Sequence, residues 1–246
     1  MLSMNKSHIS FFIVLCCAAF CNKAIGQGIN NNQSLQRVAD NMVIAYQTDI
    51  GKQSRLYRGP EFEFYDIQSI GNPYFRDSLT FVKGSVKYDG IVYKNTPLLY
   101  DEYKQLLITF LYNNYTKYSF LSDLIDEFDL SGHHFIRFIP DELNKKMEIG
   151  FYDELYNNKT RFLVRRVKTR QEEGTTAKRV FLPTPIYYLK KGTIYYSVSS
   201  KGDVFDLLAD KKKELKQYLK DNHIDFKENR EQAILKLATY YDRITN

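Results

Sequence analysis

Over residues 79–198, apolar and polar positions alternate in short runs that turn residues interrupt at close spacing. LTFVKGSVKY precedes Asp89-Gly90 and IVYK follows it, an arrangement that predicts a two-residue hairpin. Further breaks fall at Asn113-Asn114, Ser131-Gly132, Asn157-Asn158 and Lys191-Gly192. The flanking runs are rich in Tyr, Phe, Ile and Val, residues that suit a pleated, half-buried surface. No helical stretch separates them, as a parallel sheet would need. The pattern therefore predicts an antiparallel β-meander sheet of about eight to ten strands across residues 79–200. Pro183 and Pro185 bracket a loop or an edge, because neither can donate to a ladder.

After Gly202 the period changes. Val204, Leu207, Leu208, Leu215, Tyr218 and Leu219 recur at helical spacing behind an N-cap at Asp203. Asn222-His223 ends that helix. Asn229 with Gln232 three residues on predicts a capping box for a second helix, whose stripe is Ile234, Leu237, Tyr241 and Ile244. Residues 203–246 thus predict a helical hairpin, and its nine basic and nine acidic residues leave no net sign. A greasy face on each helix points to packing, whereas a membrane-surface helix wants a basic polar face. Upstream, Leu35, Val38, Met42 and Ala45 predict a short helix ended by Gly51, and Gly59-Pro60 and Gly71-Asn72-Pro73 are loop signals around EFEFYDI. The expected fold class is mainly β or α+β: the antiparallel meander closed by a C-terminal αα-hairpin.

The amino terminus reads as an export signal. Lys6 precedes the apolar run ISFFIVLCCAAF at residues 9–20, and Ala24-Ile25-Gly26 offers a small-x-small cleavage site before Gln27. The run is shorter than the roughly 20 residues a spanning helix needs. The expected organisation is a signal peptide at 1–26 and one globular domain at 27–246, with an N-terminal segment at 27–78. All three cysteines (Cys16, Cys17, Cys21) lie in the signal, so a mature chain has no disulfide, thiolate metal site or cysteine nucleophile. An exported chain without disulfides suits the periplasm or surface of a Gram-negative bacterium. The net charge of +6 is too mild for a nucleic-acid partner, and no later stretch reaches spanning length.

Candidate chemistry is sparse. His133-His134 point to opposite faces of a strand and cannot share a metal. No zinc, phosphate-loop, dinucleotide or nucleophile-elbow motif is present, so no catalytic residue, metal or cofactor is expected. Acid pairs at Asp101-Glu102, Asp141-Glu142 and Asp153-Glu154 would serve a hydrolase only if two converged in a cleft. The densest charge is in residues 159–179, where Lys159, Arg161, Arg165, Arg166, Lys168 and Arg170 offer an anion-binding surface; edge-strand charges that deter aggregation are the plainer account. Tyrosine is abundant, with 20 residues. Tyr187-Tyr188 and Tyr195-Tyr196 would each put one ring on each side of the sheet, leaving an amphipathic aromatic binding surface.

GSVKYDGIVYKNTPLLYD (84–101), GFYDELYNNKTRFLVRR (150–166), YYLKKGTIYYSVSSKGDVFDLLADKKKELKQYLK (187–220) and EQAILKLATYYD (231–242) together resemble a family of exported proteins from Gram-negative bacteria. That resemblance implies export and a shared architecture; it carries over no reaction, ligand or catalytic residue. The leading expectation is a non-enzymatic binding or scaffold protein of the cell envelope, with an envelope partner or a small apolar or anionic ligand. A periplasmic carrier of a lipid or other apolar ligand is the alternative, and a carboxylate hydrolase the third.

Overall fold

The computed structural model describes residues 34–39, 41–42, 45, 55–65, 69–173 and 178–245. The chain forms two compact units, Met1–Ser54 and Arg55–Asn246. The described residues of the first unit are helical, as their spacing predicts, with Leu35, Val38 and Met42 exposed. The export signal at 1–26, the helix end at Gly51 and the tip of the basic hairpin lie outside the described residues.

The second unit is mainly β. Its strands are β1 (Ser69–Ile70), β2 (Val82–Tyr88), β3 (Ile91–Asp101), β4 (Leu106–Phe110), β5 (Lys117–Ser119), β6 (Ile125–Leu130) and β7 (His133–Phe138). They continue with β8 (Gly150–Asn157), β9 (Arg161–Arg165), β10 (Lys168–Glu173), β11 (Lys178–Pro183), β12 (Ile186–Lys191) and β13 (Ile194–Ser197). Helices α1 (Lys201–Leu207), α2 (Lys212–Asp221) and α3 (Arg230–Thr245) follow.

Ten strands form one antiparallel sheet in the order β13-β12-β9-β8-β7-β6-β2-β3-β4-β5, which does not close into a barrel. The turns fall where the sequence predicts them. Asp89 and Gly90 both have positive φ, as do Ser131 and Gly132, which is what a two-residue turn matching strand twist requires. The order departs from a plain meander at two places. β6 returns past three strands to pair with β2, and β9 pairs with β12. The intervening β10 and β11 leave the sheet as a hairpin and pair with β1 instead. Gly84 permits the β6–β2 contact, because a Cβ there would lie 2.2 Å from the carbonyl oxygen of Asp129.

Side chains pack on both faces of the sheet, although β6 in its middle turns Asp126 and Asp129 to solvent. Phe162, Val164, Tyr187 and Leu189 pack under the helices with Leu208, Leu215, Ile234 and Leu237. Farther along, Tyr100, Phe128, Phe135 and Phe151 form an aromatic core, with Phe128 and Phe135 stacked 4.6 Å apart. On the reverse side Tyr152, Leu163 and Tyr188 pack with Met147.

The C-terminal helices refine the expected hairpin. The N-cap is Ser200, three residues before the expected Asp203, which instead completes a capping box from the third helical position. Those Ser199 and Ser200 hydrogen bonds hold the Asp203 carboxyl down to about 2. The expected first helix is two, because the backbone leaves helical geometry at Leu208. There Lys191 Nζ donates to the Leu207 carbonyl (2.6 Å) and to Asp210 (3.0 Å). The cap of α3 forms half of the expected box: the Gln232 N–H donates to Asn229 Oδ1, while the Asn229 N–H donates to the Asp225 carbonyl.

One buried carboxylate ties α3 to the β8–β9 connection. Asp242 accepts the Thr160 N–H (2.8 Å) and hydroxyl (2.6 Å) and is almost fully enclosed. Replacing it by Ala leaves both donors unpaired, and Asp242→Ala is expected to lose about 2–4 kcal/mol in urea unfolding. Asp242→Asn, which keeps one acceptor, should lose less.

Candidate functional site

Residues 61–65 and 69–81 pack along β3 and β4, with Phe62 and Tyr74 against Leu99 and Ile108, and build an aromatic cleft. They are attached by the Phe62 N–H to the Lys117 carbonyl (2.8 Å), and by the Glu102 N–H to the Pro73 carbonyl (2.9 Å). Between these points the chain turns at Gly71-Asn72-Pro73. Gly71 supplies a positive φ of 72°, and Asn72 accepts the Tyr74 N–H and donates to the Asp77 carbonyl, each at 2.8 Å.

The turn leaves a cleft of about 430 Å³ against β11, walled by Phe64, Tyr65, Tyr74, Leu79 and Phe181. Tyr65 is its centre: its ring meets Phe181 edge-on at 5.4 Å, Tyr103 at 6.2 Å and Tyr74 at 6.4 Å. Lys104 Nζ sits 4.6 Å from the same ring, a cation–π contact. The Tyr65 hydroxyl donates to buried Asp101 (2.6 Å), which also accepts the N–H groups of Tyr103 and Lys104. Burial, reinforced by the Asp101 charge, pushes both the Tyr65 and Tyr74 phenols well above their usual range. The Tyr74 hydroxyl is buried with no hydrogen-bond partner. The cleft is therefore mainly apolar and aromatic, with Ser69 and Asn72 in its lining and the unpaired Tyr74 hydroxyl enclosed within its wall.

A second, smaller cleft of about 210 Å³ adjoins the same segment and is lined by Phe75, Arg76, Asp77, Glu102, Arg166 and Lys168, among others. Lys168, 3% exposed, donates to the carbonyls of Asn72 (2.9 Å) and Tyr74 (2.7 Å) and to Asp77 (2.6 Å). Glu102 lies 3.7 Å from its ammonium. Burial pushes Glu102 up to about 7, although Lys168 and Arg166 oppose the shift. Arg166 grips Asp153 through Nε (2.9 Å) and Nη2 (2.5 Å), and Glu231 of α3 through Nη1 (2.6 Å). The opposing charges raise its own value despite burial. His133 Nδ1 meets the same Asp153 oxygen at 2.7 Å, while the other oxygen is buried and unpaired.

The six cations expected to gather for an anion are each engaged separately. Lys159 donates to the Thr245 carbonyl at the end of α3 (2.9 Å). Arg161 pairs with Glu154, Arg165 with Glu148, and Arg166 and Lys168 are buried as described. Arg170 lies 5.6 Å from the Tyr103 ring centroid. Arg166 and Lys168 thus spend their charge inside the fold on partners remote in sequence, while Lys159 and Arg170 stay exposed. The expected tyrosine surface is likewise divided. Tyr187 and Tyr188 are buried on opposite faces, Tyr195 packs on Phe138 and accepts from Arg161, and Tyr196 alone is exposed. These tyrosines lie on β12 and the edge strand β13, where the helices on one face and Met147 with Phe138 on the other cover most of their rings.

His133 and His134 diverge as strand alternation requires, His134 turning to Asp129 (2.8 Å). Among the described residues, no group of three or more His, Cys, Asp or Glu side chains is placed to hold a metal, and no helix is long and apolar enough to cross a membrane. The aromatic cleft was not anticipated; its only signals were the loop at Gly71-Asn72-Pro73 and the aromatic alternation of EFEFYDI. No family model, curated protein or solved structure matches the chain.

The raised Glu102 has a defined pH signature. The folded state holds this proton more tightly than the unfolded chain, whose Glu titrates near its ordinary 4.5. Stability therefore falls as pH rises from 4.5 towards about 7. Glu102→Gln, which cannot ionise, should remove up to about 3 kcal/mol of that decline, read from urea unfolding at about pH 5 and about pH 8.

Proposed function

We propose that this chain is an exported, non-enzymatic binding protein of the cell envelope that takes a small apolar ligand with one hydrogen-bond acceptor. The reading rests on the aromatic cleft. Its volume falls within the range of small-molecule sites, and its lining is mainly apolar with a few polar groups, the usual composition of such sites. The Tyr74 hydroxyl, enclosed in the free protein, would donate to the acceptor once the ligand parts the wall, while Phe64, Tyr65 and Phe181 supply ring contacts that cost little side-chain entropy. Export rests on the signal-like segment at 1–26, and the Gram-negative envelope on the absence of cysteine beyond it.

Native mass spectrometry of the protein purified from its own envelope fraction tests both parts. The expected chain begins at Gln27 and carries a co-purifying small mass, and bare chain from repeated preparations would remove the binding reading. Tyr74→Phe separates ligand binding from folding. It deletes an unpaired buried hydroxyl, so stability should rise by about 1 kcal/mol, while ligand retention should fall about tenfold.

A further inference from the structure

The outer side of the C-terminal helices carries a groove distinct from both clefts. It runs from the start of α1 along α2 to the start of α3 and encloses about 1160 Å³. Its floor is apolar, built from Phe205, Leu219, Ile224 and Phe226. Its walls carry Lys201, Lys212, Lys216, Lys220, Lys227 and Arg230, against only Asp206 and Asp225. Asp206 is taken by Lys212 (2.8 Å), and Asp225 accepts the Lys227 N–H to make the turn into α3. Among the described residues, no carboxylate pairs with Lys201, Lys216, Lys220, Lys227 or Arg230.

The charge is arranged by face. Lys212, Lys216 and Lys220 follow one another at four-residue steps and share one side of α2. A different side of that helix presents Lys213, Glu214, Gln217 and Asp221 around a separate depression. Like charges at this spacing work against a helix, yet α2 carries two such pairs along the groove. The equal count of acids and bases over the hairpin conceals this segregation.

We propose that the groove docks an acidic, partly apolar segment of a partner protein. Charge complementarity selects the acidic side chains, because unpaired ammonium groups surround the concavity. The floor selects the apolar ones. The volume exceeds the usual small-molecule range and matches a length of peptide lying in a groove. A lipid surface is the poorer fit: a bilayer is flat, and Phe205, Leu219 and Phe226 are each under 10% exposed at the bottom of a recess.

Photo-crosslinking in cells that make the full chain tests this. A photo-reactive residue is placed at position 201, on the groove, and in a second strain at position 213, which lines the separate depression on α2. Captured species are identified by sequencing the crosslinked peptide. The expected product at 201 is a protein segment in which acids outnumber bases, absent at 213. Its yield should fall about tenfold when Lys216→Gln and Lys220→Gln are combined, a change that keeps helix propensity; unfolding curves verify the fold. Crosslinks to lipid, products shared with position 213, no product, or a yield unchanged in the double variant would each overturn the proposal.

Discussion

Two cations buried within three residues of each other, Arg166 and Lys168, govern how this molecule is put together. An enclosed charge is tolerated only when it is fully partnered. Here the partners come from every part of the second unit: Asp153 on β8, Glu231 on α3, and Asn72, Tyr74 and Asp77 on the segment before β2. The two side chains sit where the chain leaves the large sheet between β9 and β10. They therefore fix that exit point to the helices on one side and to the loop at Gly71-Asn72-Pro73 on the other. Removing either cation would leave several acceptors without a donor at once, which is why the junction holds a single geometry.

That junction also shapes the clefts. The carbonyls of Asn72 and Tyr74 are drawn inward to the Lys168 ammonium, and the same loop forms one wall of the aromatic cleft. The position of Tyr74, whose ring lines the cleft, is thus set by an ionic contact on the far side of its own backbone. The charged cleft and the apolar cleft are two sides of one turn.

Local chemistry made much of the architecture legible. Asp89-Gly90 and Ser131-Gly132 announce their hairpins, alternation gives the strands, and the Asn229-Gln232 pair marks the start of α3. Strand order was not legible, because the return of β6 to β2 depends on a close approach at Gly84 that no local pattern encodes. The basic run around Arg166 hides its partners for a related reason: Glu231 and Asp77 lie 65 and 91 residues from their cations, so the sequence shows the charge and not its neutralisation. The lysines of α2 present the reverse case. Their four-residue spacing is plain in the sequence, but a charge summed over the whole hairpin erases it.

The departure of β10 and β11 from the large sheet makes that stretch tolerant of change. β9 and β12 pair directly, so the excursion between them is an insert in a ladder that closes without it. Phe181, a wall of the aromatic cleft, is carried by that insert. Past Lys168, which stays tied to Asn72, Tyr74 and Asp77, the excursion can change length or sequence while the ten strands keep their hydrogen bonds. One wall of the aromatic cleft and the ladder of the large sheet therefore sit on different stretches of the chain.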